Sequence, residues 1–239
     1  MPAAALTAAG IRRRLMAHAD PSSVPILQRF FKTGPGEYGE RDVFVGVRTP
    51  ALRAVGRECA GAPIEAIRML LRSRVHEERS LALMLLVDAF KAGDDDGRRA
   101  IYEFYLAHTG FINNWDLVDA SAAQIVGGWL HRRSRAPLRA LAASASLWDR
   151  RIAIIATANF IKRGEFADTF EIADLLLNDE HDLIHKAVGW MIREVGNRDG
   201  AAERRFLKDR YRRMPRTMLR YAIEKFPEPE RKRYLAGTV

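Results

Sequence analysis

The sequence predicts an all-α protein built as an α-solenoid of HEAT-like or armadillo-like helix pairs. Three observations carry that expectation. Apolar residues recur at helical spacing along most of the 239 residues. The breaks between these segments hold glycine, proline and aspartate. Five of the helical segments superimpose with one another at intervals of 40, 32, 35 and 34 residues.

Taken in order, Thr49-Pro50 reads as a helix start, with Thr49 as N-cap and Pro50 in the first turn. Residues 64–72 place Ile64, Ile67, Leu70 and Leu71 on one face, and residues 77–91 carry Leu81, Leu83, Met84, Leu85, Val87 and Phe90. Further helices are expected at 98–108, 115–132, 137–144, 149–163, 166–177, 182–195, 201–213 and 216–226. The punctuation is Gly93 with Asp94 to Asp96, Gly110, Gly164, Gly196, Gly200, Pro227 and Pro229. Val43 to Val47 is the one β-like stretch. It is short and bounded by the Gly34-Pro35-Gly36 loop, so it reads as extended chain or a tight turn.

The superimposed segments are second helices of pairs, with Arg79, Asp119, Arg151, Lys186 and Arg220 at the equivalent position. A pair cannot bury its apolar face alone, so neighbours stack. The expected organisation is one domain over 1–239, with an irregular helical cap at 1–60, helix pairs at 61–227 and a tail at 228–239.

Composition narrows the function. At 48% hydrophobic and 29% charged residues the chain is not mainly disordered. Its 39 basic against 30 acidic residues give +9, and arginine supplies 32 of the basic ones. That excess points to a polyanion such as nucleic acid, although arginine bias also follows from a GC-rich genome. The single Cys59 excludes an internal disulfide and a cysteine-built zinc site, and reads as a packed thiol at a helix end. No apolar run reaches the roughly 18 residues of a membrane span. The N-terminus places Ala3 to Ile11 before Arg12 to Arg14, the reverse of a secretory signal, so a cytosolic location is expected.

The repeat carries the site. Arg79, Arg151, Lys186 and Arg220 make a row of cations at repeat spacing, fit to track phosphates along a groove. The same row could instead be an internal ladder in which each basic residue bonds the next repeat. Asp119 interrupts the row. A carboxylate there opposes phosphate, which suggests a chemical role, while pairing with a neighbouring arginine is the plain alternative. Trp115 stands one turn before Asp119, Lys186 shares a face with Trp190 and Arg193, and Trp148 lies three residues before Arg151. Trp129 is expected in the core. Weaker patterns are a two-histidine face at His181 and His185, an incomplete calcium-like loop at Asp94 to Gly97, and solvated arginines at Arg132, Arg133, Arg135, Arg210, Arg212 and Arg213.

At these residues the chain resembles the AlkD-type DNA alkylation repair enzymes. Asn114-Trp115-Asp116-Leu117-Val118-Asp119 is similar to that family's WWDxVD motif, and Phe44 to Pro50 to its FxGxxTP-like segment. Trp148 to Ala153 and Lys186 to Glu194 resemble its W-x-x-R and KAxGWxLRE segments. The four occur in family order and span roughly residues 20–227. In three places the chain departs from the pattern: Asn114 stands for the first tryptophan, Phe30 for an N-terminal tyrosine, and Gly34 to Arg41 resembles an insertion.

The resemblance implies a HEAT-like-repeat DNA glycosylase that excises cationic N3- and N7-alkylpurines from double-stranded DNA. It implies Asp119 as catalytic carboxylate and Trp115, Trp190, Arg151 and Arg193 as DNA-contacting residues. Lys186, Arg79 and Arg220 join them from the repeat row. No metal or cofactor is implied, a monomer is expected, and a non-catalytic binder of DNA or protein is the rival reading.

Overall fold

Helix α5 (His76–Ala92) shows how the chain folds, because it is apolar nearly all round and is accordingly buried on most sides. The computed structural model describes residues 6–40 and 42–239; Ala3 to Ala5 of the N-terminal run and Arg41 of the insertion lie outside them. The described residues are all-helical, and their nearest approach to a sheet is an isolated parallel bridge between Val43 and Val75. They divide into two compact units, 1–121 and 122–239.

In the first unit α1 (Ala8–Met16), α3 (Thr49–Glu58) and α4 (Ile64–Leu71) pack together, with α3 and α4 also against α5. Helix α6 (Asp95–Ala107) returns along α5, which also packs on the short α7 (Trp115–Asp119). Ile11, Leu15, Val55, Leu70, Leu81, Leu86 and Tyr105 form the core. Helix α2 (Val24–Phe30) buries none of its residues. Arg48, not Thr49, is the N-cap of α3, without a side-chain bond; Thr49 and Pro50 are its first two residues. Asp94 caps α6 by accepting from the Gly97 amide, which gives the aspartate run a structural use. Cys59 ends α3, fully buried, and burial pushes its thiol up.

In the second unit a π turn (Ala123–Gly127) runs into α8 (Gly128–Leu130). Then follow α9 (Ala136–Ala142), α10 (Leu147–Ala156), α11 (Ala158–Ile161), α12 (Ala167–Leu175), α13 (Asp182–Gly196), α14 (Gly200–Lys208), α15 (Arg216–Ala222) and α16 (Glu228–Ala236). Helix α10 packs on α13 and α13 on α15, so second helices of successive pairs stack in chain order, as in an α-solenoid. The expected continuous helices over 115–132 and 149–163 are each broken. Ser121 Oγ donates to the Leu117 carbonyl, and Thr157 Oγ1 to the Ile154 carbonyl, where buried hydroxyls compete with the helix ladder. The expected tail at 228–239 carries α16, whose buried Tyr234 meets Tyr211 and Phe226 edge-on.

Two motif glycines are required by close approach. Gly46 has φ +88°, and a Cβ there would lie 2.0 Å from the Asp20 carbonyl oxygen. A Cβ on Gly189 would lie 2.4 Å from the Met218 carbonyl, so the absent side chain is what lets α15 reach α13.

Glu203 on α14 is 4% exposed, and its Oε1 has no hydrogen-bond partner among the described residues. Burial pushes its carboxyl up to about 8, with Glu230 adding to the rise and Arg204 and Arg193 opposing it. The folded chain therefore holds this proton more tightly than the unfolded chain does. Its penalty is absent below the unfolded value and grows as pH rises toward 8. Glu203→Gln is expected to stabilise the protein at pH 8 by on the order of 1–3 kcal/mol, a few degrees in Tm, and to do little near pH 4.5. Thermal melts of both proteins across that range check it; a gain independent of pH would refute the assignment.

Candidate functional site

The first unit centres its charged interior on Asp42, which precedes the Phe44 to Pro50 segment. Its Oδ1 accepts from Arg79 Nη2 at 2.5 Å, and its Oδ2 from Asn114 Nδ2 at 3.0 Å. The same Oδ2 is 2.9 Å from Nδ1 of His76, whose Nε2 is 2.8 Å from Oδ2 of Asp116. Burial opposes the charge on Asp42, but bonds from His76, Arg79 and Asn114 outweigh it and hold the carboxyl below its ordinary value. Burial likewise opposes a charge on His76, yet its two carboxylate partners push the imidazole up to about 9. The ring is therefore an imidazolium at neutral pH, with an N–H for each aspartate.

Glu77, next on α5, accepts from the amides of Val45, Gly46 and Val47 and so holds the glycine turn against the helix. Phe31 and Phe44 each lie 4.7 Å from the His76 ring, and Trp115 stacks on Phe31 at 5.3 Å. Phe30, 59% exposed, meets Trp115 edge-on at 5.5 Å.

Helix α7 is one turn and a half long, too short to hold itself. Asn114 Oδ1 caps its first amide at 2.8 Å. At its end Tyr105 Oη and Ser121 Oγ lie 2.9 Å apart, and Ser121 bonds back to Leu117. Trp115 and Asp119 thus sit, both half-buried, on a short helix tied at both ends.

In the second unit Arg151 on α10 is 5% exposed and donates from Nη1 to the Leu183 carbonyl at 2.6 Å. Ser146 caps α10 ahead of the half-buried Trp148. On α13, Lys186 pairs with Asp182 at 2.7 Å, Trp190 donates from Nε1 to Glu194 at 3.1 Å, and Arg193 pairs with Glu224. Arg220 on α15 is exposed.

These residues fall into two groups by unit. Trp115 and Asp119 share α7; Lys186, Trp190 and Arg193 share a face of α13, with Arg151 bonded to its first turn and Arg220 on the next stacked helix. Arg79 departs from the expected surface row. At 3% exposure, with its guanidinium on Asp42 and the Ser73 and Arg74 carbonyls, it serves as an internal tie.

Other arginines make ties as well. Arg150 pairs with Asp179, Arg139 with Glu171, and Arg210 with Asp174, each about one repeat away in sequence. Arg135, expected as a solvated helix end, pairs with Glu165 and Asp168 and lies 4.0 Å over Phe160. Trp129 is half-buried with Arg133 3.5 Å over its ring, so it is not a closed core residue. His181 caps α13 through Nδ1, and His185 bonds the Asp179 carbonyl.

Sequence reasoning missed Asp42, His76 and Glu77. The one available signal was the charged run His76-Glu77-Glu78-Arg79 running directly into the apolar stretch Leu81 to Val87, where buried charges need partners.

These features define a class: a basic helical-repeat protein with a carboxylate and an indole on one short tethered helix. The family model for the DNA alkylation repair enzyme matches residues 11–226. The chain belongs to that family. Among solved structures it is similar to a "Predicted DNA alkylation repair enzyme from Enterococcus faecalis", with a TM-score of 0.67 at 16% identity, covering 88% of this chain and 98% of that one. At that identity the likeness bears on the fold. No curated protein matches the sequence. The family supports a role in DNA alkylation repair and action on DNA. Among the described residues no helix is long and apolar enough to cross a membrane.

Proposed function

We propose that the protein is a monofunctional DNA glycosylase, acting as a monomer and a single domain on double-stranded DNA, that hydrolyses the N-glycosidic bond of cationic alkylpurines such as N7-methylguanine and N3-methyladenine. The observation that carries this reading is Asp119 one turn from Trp115 on a helix held at both ends. An N7- or N3-alkylated purine already bears a positive charge, so it leaves without a general acid. Its departure develops oxocarbenium charge on the deoxyribose, which one fixed carboxylate can stabilise while it orients water. Indole faces can hold the cationic nucleotide.

In this reading Trp115 and Trp190 contact the lesion strand, and Lys186, Arg193 and Arg220 contact phosphates. Arg151 enters the DNA-contacting set through its family motif rather than through exposure. Arg79 is left out of it.

The test is incubation with duplex DNA carrying N7-methylguanine, followed by analysis of free base. Release of N7-methylguanine above the uncatalysed rate is expected. Binding of the same duplex without release would favour the non-catalytic helical-repeat binder instead.

A further inference from the structure

The geometry points to His76 as a positioning residue for the candidate site: its ring, bonded to Asp42 through Nδ1 and to Asp116 through Nε2, ties α7 to α5 and to the Asp42 to Val47 segment. The proposal rests on the reading of Asp119 given above, because α7 carries both Asp119 and Trp115.

Both links require protons. A neutral imidazole has one N–H and one lone pair, so it can donate to only one of its two carboxylates. Charge and hydrogen bonding therefore stand or fall together. The two links are unequal. The Asp42 side chain is 2% exposed and also bonds Arg79 and Asn114, whereas the Asp116 side chain is 24% exposed and its Oδ1 has no partner among the described residues. Loss of the proton should release the Asp116 side first. That is the side on α7.

The release would reach Trp115 by a second route. Its ring stacks on Phe31, which packs on His76 itself. What remains to hold the start of α7 is the Asn114 cap with its bond to Asp42. A short helix carrying an electrostatic catalyst depends on such support, since misplacement of about 1 Å can cost on the order of 10²-fold in rate.

The charged groups around the ring are few. Asp42 faces it from the extended segment and Asp116 from α7. On its own helix Arg79 reaches it through Asp42, Glu77 is turned to the Val45 to Val47 amides, and Glu78 pairs with Arg12. With the imidazole pushed up to about 9, the tie is fully present below the unfolded histidine value and is lost as pH rises through about 9.

The test uses the full chain and Asp116→Ala, which removes one carboxylate and offers the ring no replacement donor, while Asp42 and its partners remain. NMR follows the His76 ring and the Trp115 indole from about pH 6 to pH 10, across the range in which a raised histidine titrates. In the natural sequence both signals are expected to move together near pH 9. In Asp116→Ala the His76 midpoint should fall by about one unit or more, because the partner that favours the charged form is gone.

Single-turnover base release, corrected for the uncatalysed rate, should decline along the same midpoint. At pH 8 the variant should be slower by about 10-fold or more in the chemical step, read on fully bound DNA. A Trp115 signal that stays still while His76 loses its proton would overturn the proposal, and so would a rate profile that Asp116→Ala leaves unchanged. If no base is released at any pH, it is the glycosylase reading that fails, and the joint titration of His76 and Trp115 still decides whether the tie exists.

Discussion

Asp119→Asn is expected to lower base release by on the order of 10²-fold or more, while affinity for DNA holds level or rises. The substitution is nearly isosteric and removes a negative charge while leaving α7 its caps: Asn114 on the first amide, and Ser121 with Tyr105 at the end. A carboxylate stabilises the oxocarbenium transition state and repels the phosphates of bound DNA. Removing its charge should therefore act on the chemical step and spare, or help, binding. The measurement is single-turnover release of N7-methylguanine beside a binding isotherm and a melt of each protein. Near-normal release by a folded variant would remove Asp119 from its assigned role. Lower release with a lower Tm and unchanged release per folded molecule would mark it as a structural partner of an arginine.

The second large effect is selectivity. Release of N7-methylguanine and N3-methyladenine is expected, with no release of uracil, hypoxanthine or 8-oxoguanine and no strand cleavage. Neutral bases need activation by a general acid, or displacement by a nucleophile, to leave at a useful rate. Near Asp119 the other carboxylate of α7 is Asp116, and it is engaged by the His76 imidazolium, which suits it to structure more than to proton transfer. Strand cleavage would need an amine to attack the sugar C1′, and α7 carries no lysine. A panel of single-lesion duplexes, analysed with and without alkali, reads both points. Efficient uracil excision, or nicking without alkali, would show that the chemistry of this site has been misassigned.

What could be read from the chain alone was whatever is periodic or local. The apolar spacing over 64–72 and 77–91 needs only the geometry of a helix, and α4 and α5 appear at Ile64–Leu71 and His76–Ala92. The register of Arg79, Asp119, Arg151, Lys186 and Arg220 follows from repetition, and each of these residues falls on the second helix of its pair. The helix breaks after Asp119 and at Thr157 were not legible, because a serine or threonine interrupts a helix only when burial turns its hydroxyl onto the backbone.

The same limit governs the charges. Sequence shows that Arg79 and Lys186 are cations at equivalent positions. Only folding decides that Arg79 is closed in with Asp42 while Lys186 remains partly open beside Asp182. His76 was silent for the same reason: its two carboxylate partners are 34 and 40 residues away in sequence. No local pattern can pair groups so far apart. The energy of a buried charge depends on which partners the packed chain brings to it, and that is a property of tertiary structure.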